Sequence, residues 1–191
     1  PAAMLLDGGR AETAAALTSS HFCSAERQYR FPLEYGGVRP PTAQWTVTGA
    51  GALILAAAGD GPRVTMATTG TIVDAGITDT NNMGAAMAPA AYETLRAHFA
   101  DTGRTPDDYD LIVTGDLGKI GHAVVTRLFA DDGVELAGKY NDCGLMIYDL
   151  EAQDVHAGGS GCGCSASVLA GHLIKLLKGG QLRRLRFAAR G

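Results

Sequence analysis

Cysteine, aromatic residues and charge are all scarce in this sequence, and each scarcity excludes a class of protein. Four cysteines in 191 residues are too few and too scattered for a disulfide-stapled secreted module. They are Cys23, Cys143, Cys162 and Cys164. The closest pair, Cys162-Gly-Cys164, falls short of the C-x-x-C spacing of zinc and redox sites. Reduced thiols in a cytosolic protein, with no metal centre, are the expected state. No apolar run approaches the roughly 18 residues of a membrane span, because Gly, Asp or Arg interrupts each one. The opening PAAMLLDGGR lacks a basic region followed by a long apolar stretch, so no secretory signal is expected. Aromatics are only 6% and charged residues 19%, yet 46% hydrophobic content supports a packed core and argues against disorder.

Small residues are abundant instead: 26 Gly and 31 Ala make up close to a third of the chain. The glycines have no three-residue period, which excludes collagen. Charge is unevenly spread. Val155 to Gly191 contains no acid, while Lys175, Lys178, Arg183, Arg184, Arg186 and Arg190 give it +6; the whole chain is −4, so the remainder carries −10. Such an end suits nucleic acid or an anionic membrane face. The favoured alternative is a helix C-terminus complemented by Lys175 and Lys178, then a strand with arginines on its wet face. No nucleic-acid partner is expected.

Periodicity predicts an α/β chain. Met4 to Leu6 end a helix stopped by Gly8-Gly9, and Thr13 to Leu17 form a short buried strand. A polar and aromatic loop, Ser19 to Gln44, follows. Val47 to Ala58 and Arg63 to Val73 are apolar and β-branched, and Gly59-Asp60-Gly61-Pro62 between them predicts a hairpin. Ala85 to Ala100 reads as a helix with Pro89 near its first turn. Asp110 to Thr114 is a buried strand ending at Gly115-Asp116, and a helix over Ala123 to Ala130 follows, with a turn at Asp132-Gly133. A glycine-rich loop, Gly158 to Gly163, opens a helix over Ser165 to Leu177, which stops at Gly179-Gly180 before a strand over Leu185 to Ala189. His98 and His122 fall on polar helix stretches and receive no role.

One unit occurs twice. Leu5-Leu6-Asp7-Gly8-Gly9 matches Leu176-Leu177-Lys178-Gly179-Gly180 at an offset of 171 residues, and the strands after them coincide. The loop and helix start of the first copy would fall before Pro1. The sequence therefore reads as a fragment that begins in mid-helix and ends just after a strand.

A duplicated α/β half with a glycine-rich cysteine loop at a helix start resembles the thiolase and ketoacyl synthase superfamily. Intervening blocks narrow this: Thr18-Ser19-Ser20-His21, Ala25 to Pro32, Glu34-Tyr35-Gly36-Gly37, Gly76-Ile77-Thr78-Asp79 and Met87 to Ala91. Arg104 to Ile112, Thr114-Gly115-Asp116-Leu117, Asp142-Cys143-Gly144-Leu145 and Ala157 to Ala166 continue the series. In these blocks, in order along the whole chain, the sequence resembles the stage V sporulation protein AD family of spore-forming bacteria.

That resemblance implies a thiolase-like layered αβαβα fold, incomplete here. Residues 1–60 would be the end of its N-terminal half and 61–191 a C-terminal half lacking its last segment. It implies a protein of the machinery that moves dipicolinic acid, as its calcium chelate, into the spore. This subunit would bind dipicolinate as a ligand and carry no cofactor. It would work beside other, membrane-bound subunits of the same sporulation complex. It would be cytoplasmic or in the forespore, peripheral to the inner spore membrane, and a homodimer only when full length.

A condensing enzyme of the superfamily needs a thiolate, and two donors for the developing oxyanion. The resemblance puts the donor positions at Thr114-Gly115-Asp116, which has no His, and at Gly161-Cys162-Gly163, which has no Asn. Binding without catalysis is therefore expected, with an acyl-transferring condensing enzyme as the alternative. Dipicolinate is a flat pyridine dicarboxylate, so its site wants backbone amides, a bidentate arginine and a flat wall. The loop residues Gly161, Cys162 and Gly163 offer amides; Arg27 and Arg30 offer the fork; Tyr29, with Phe31 and Tyr35, offers the wall. His21 and Asp116 each follow a strand end, where α/β proteins place ligands. With the chelate, Asp116 would face calcium. Plainer roles compete: Arg27 and Arg30 pairing with Glu26 and Glu34, His21 bonding backbone, Asp116 capping the helix near Leu117–Gly118.

Overall fold

The computed structural model describes residues 1–22, 40–136 and 138–189. Helix α1 (Ala2–Asp7) leads to strand β1 (Thr13–Ser20), followed by β2 (Trp45–Thr46) and β3 (Gly49–Ala56). Helix α2 (Met83–Thr102) precedes β4 (Leu111–Thr114), α3 (Gly118–Asp131), β5 (Tyr140–Asp142) and the single turn α4 (Cys143–Met146). Then come β6 (Gly159–Ser160), α5 (Cys162–Val168), a π-turn over Leu169–Leu173, α6 (Ile174–Lys178) and β7 (Leu185–Ala188).

β4 is the central strand of a parallel sheet ordered β5-β4-β7. Its short β-branched run places successive side chains on opposite faces, and the two faces meet different cores. Ile112 packs with Met87, Leu95, Val125 and Phe129 of α2 and α3. Val113 packs with Cys164, Val168 and Leu173 of the helix that begins at α5. That helix in turn lies against the β1–β3 sheet, so closely that a Cβ on Gly51 would sit 2.6 Å from the Ala166 carbonyl oxygen. The result is a layered α/β fold, α2–α3, parallel sheet, α5, antiparallel sheet. Between α2 and α3 the backbones meet at Gly84 and Gly121, where a Cβ on Gly84 would come within 2.5 Å of the Leu117 carbonyl oxygen.

Three backbone bonds of the repeat read from the sequence recur in both copies. After α1, the amides of Gly8, Gly9 and Arg10 donate to the carbonyls of Met4, Leu6 and Leu5. After α6, those of Gly179, Gly180 and Gln181 donate to Lys175, Leu177 and Leu176, the same pattern 171 residues on. Gly9 and Gly180 have φ of 64° and 72°, the left-handed region that glycine enters without steric cost.

Several expectations need correction. The predicted hairpin does not form: β3 pairs antiparallel with β1, Thr13 opposite Ala56 and Ser20 opposite Gly49, and residues 63–73 carry no strand. Gly59 and Gly61, at φ of 144° and 129°, lie in a bend after β3, and no strand returns from it to pair with β3. β1 is not buried; Leu17 is 76% exposed, and Ile54 of the paired strand β3 is 77% exposed. α2 starts at Met83, capped by the Asn82 side chain on the Ala85 amide, so Pro89 is inside the helix and not in its first turn. α3 starts five residues early, at Gly118, and the last helix starts at Cys162 instead of Ser165. His98 is buried between Thr68 and Tyr109, and His122 stacks flat on the Tyr140 ring at 4.5 Å. Lys175 and Lys178 occupy the last turn of α6 as expected. Arg186 is not on a wet face: its Nε is buried, and burial lowers its pKa.

Candidate functional site

The C-terminal ends of β4 and β5 carry the most polar part of the interior. Asp142 is fully buried. Its Oδ2 accepts from the Thr114 hydroxyl at 2.6 Å and the Leu117 amide at 3.0 Å; its Oδ1 accepts from the amides of Gly118 and Gly144, both at 2.9 Å. Burial pushes this carboxyl's pKa up, against the pull of those four donors. Tyr140 donates its hydroxyl onward to Thr114 at 2.9 Å, and burial raises its pKa too. Helix α3 is therefore capped by Asp142 from the neighbouring strand. The local cap expected from Asp116 is not made, because Asp116 is turned the other way.

Asp116 reaches instead to the glycine loop, where its Oδ2 accepts the Gly161 amide at 2.8 Å. The turn after β4 and the loop before α5, 45 residues apart in sequence, thus meet. Loop closure is stitched from a third segment. The Trp45 and Val47 amides donate to Gly158 and Ser160, and the Ala157 amide donates to Ala43. Gln44, almost fully buried, donates from Nε2 to the carbonyls of Asp116 and Gly159, both at 2.8 Å. The end of β1 closes the other side. Ser20 Oγ accepts the Gly163 amide at 3.0 Å and donates to the Val47 carbonyl at 2.6 Å, while the Cys162 thiol donates to the Ser19 carbonyl.

Of the residues proposed from the sequence, the structure brings Asp116, Gly161, Cys162 and Gly163 together. Exposed His21 directly follows Ser20 at the same strand end. Arg27, Tyr29 and Arg30 lie outside the described residues. The amides expected for a ligand are mostly taken, since buried N–H groups must find partners: Gly161 by Asp116 and Gly163 by Ser20. Cys162 is exposed, whereas Cys143 and Cys164 are buried and free, their thiol pKa values pushed well up by burial. The neighbouring histidines do not serve Cys162 in this structure. His156 donates to the Pro40 carbonyl and meets Asp154, and His172 is exposed. Ser20 and Asp142 stand in blocks that carry the family resemblance but received no role there, and Gln44 belonged to no motif. A Gln, a Ser and an Asp in polar stretches carry no spacing signal; only their long-range partners reveal them.

The model of the stage V sporulation protein AD family matches residues 1–191. The chain belongs to that family. Stage V sporulation protein AD of Bacillus subtilis (strain 168) is 50% identical over 190 residues, covering all of this chain and 56% of the relative. The chain thus spans about half the length of the curated relative it matches. No helix among the described residues is long and apolar enough to cross a membrane.

Proposed function

We propose that the chain is part of a non-catalytic dipicolinate-binding protein of the machinery that loads spores with calcium dipicolinate, peripheral to the forespore membrane and built on a thiolase-like fold. One observation carries the reading. The two stretches that would supply oxyanion donors in a condensing enzyme, Thr114 to Asp116 and Gly161 to Gly163, meet through the Asp116–Gly161 bond, and together they offer a carboxylate instead of His and Asn. A fixed negative charge opposes a developing oxyanion. It suits the cationic side of a chelate.

Calorimetric titration with dipicolinate, with and without calcium, tests this alongside a thioester-release assay on the same preparation. Saturable heat without thioester turnover is expected, and Asp116→Ala should weaken uptake of the chelate at least tenfold. Thioester turnover with no dipicolinate heat would replace this reading by a condensing or acyl-transferring enzyme.

A further inference from the structure

We propose that Gln44 is the positioning residue of the site: its side-chain amide fixes the separation of the Asp116 turn from the Gly158–Gly161 loop, and so the shape presented to a ligand. The inference takes its ligand from the binding reading above, but its geometry is independent of it.

Gln44 is only 3% exposed, immediately precedes β2, and stands between two segments that have no covalent reason to be adjacent. Its Nε2 has two hydrogens, and both are used, one on the Asp116 carbonyl and one on the Gly159 carbonyl. The opposite amide orientation would set Oε1 against two carbonyl oxygens, so the network itself fixes which atom is nitrogen. Space is reserved for this group. A Cβ on Gly118 would come within 2.7 Å of Nε2 and 3.0 Å of the amide carbon, so no side chain fits there, and φ of 63° favours glycine as well. The arrangement is not the one that satisfies Gln44 best. Its Oε1 is buried with no partner among the described residues, although a buried acceptor normally finds one. An apolar residue of the same size would leave no such orphan. What that residue would lose is the clamp on the two carbonyls, one belonging to Asp116 itself.

Gln44→Leu in the full chain keeps the volume and removes both donors. Amide hydrogen exchange over residues 158–163 should quicken at least tenfold, with exchange in α2 unchanged, and dipicolinate affinity should fall at least tenfold. Gln44→Glu adds a readout that a mere packing role would not move. Ionised at pH 8, it faces two carbonyls and frees the loop as Leu does. Burial raises such a carboxyl's pKa, so as the pH is lowered toward 4.5 it protonates and its single O–H recovers part of the protection, after correction for intrinsic exchange. Wild type shows no such recovery. Unchanged exchange over 158–163 in Gln44→Leu, or faster exchange with unaltered affinity, overturns the proposal. If wild type takes up no dipicolinate, the binding reading fails and exchange alone decides Gln44. If Gln44→Leu does not fold, the Gln44→Glu pH series decides, a flat profile counting against it.

Discussion

Asp142 caps a helix that it does not precede: its Oδ1 accepts the Gly118 amide at 2.9 Å from a strand 24 residues downstream. The same oxygen accepts from Gly144, so one buried carboxylate ties the starts of α3 and α4 to the ends of β4 and β5. Removing it strands four donors away from water, and each orphaned buried donor costs about 1–3 kcal/mol. Asp142→Ala should therefore lose at least about 3 kcal/mol in urea unfolding, with Asp142→Asn, which keeps an acceptor, losing less. A loss below 1 kcal/mol would show that water replaces the carboxylate.

His98 gives the protein an acid-sensitive core. Burial first, then the charges of Arg186 and Arg104, lowers its pKa from 6.5 to about 4. An unfolded chain therefore binds a proton below pH 6.5 that the folded chain refuses until about pH 4. Stability is unaffected above pH 6.5 and falls through that window, by up to about 3 kcal/mol at 1.36 kcal/mol per pH unit. The urea midpoint measured from pH 7.5 to 4 should show the decline, and His98→Phe should flatten it. An equal slope in both proteins would assign the acid sensitivity elsewhere.

The glycine crossing of α2 and α3 should resist any side chain. A methyl at Gly84 meets backbone atoms, the Leu117 carbonyl oxygen at 2.5 Å and the Gly121 nitrogen at 2.8 Å, and backbone cannot swing aside as a side chain can. Gly84→Ala should cost about 1–3 kcal/mol by overpacking, despite alanine's better helix propensity. Thermal melting checks this, and a raised melting temperature would refute it.

Thiol chemistry should separate the cysteines. Cys162 is exposed, while Cys143 and Cys164 are buried in an apolar cluster that disfavours the thiolate, the reactive form. Iodoacetamide mapped by mass spectrometry should label Cys162 in the native protein and reach Cys143 and Cys164 only with denaturant. Native labelling of Cys164 would mean that α5 opens.

How much of this was legible beforehand follows the range of the forces involved. α2, β4 and the exits at Gly8-Gly9 and Gly179-Gly180 are set by neighbours within a turn or two, and they were read correctly to within a few residues. The Gly59–Pro62 hairpin was a local signal overridden by a distant partner: β3 pairs with β1, and its glycines Gly49 and Gly51 let α5 pack closely on that sheet. At the site, Asp116 and the glycine loop were separate candidates for ligand contact, and the bond from the Gly161 amide to Asp116 that joins them carried no sequence signal. Whether a carboxylate caps its own helix or a loop 45 residues away depends on where β5 delivers Asp142, and composition carries no trace of that.

Ile112 and Val113 are consecutive residues in different cores, and three residues beyond Val113 comes Asp116. The turn that bears the candidate ligand-facing carboxylate is thus rooted in a strand gripped from both sides. A cavity opened in either helical layer would tilt β4 and shift Asp116 without touching it. Variants that impair the proposed binding should accordingly be sought at Phe129 or Leu173 as well as around Asp116. The candidate site shares its foundation with both helical cores.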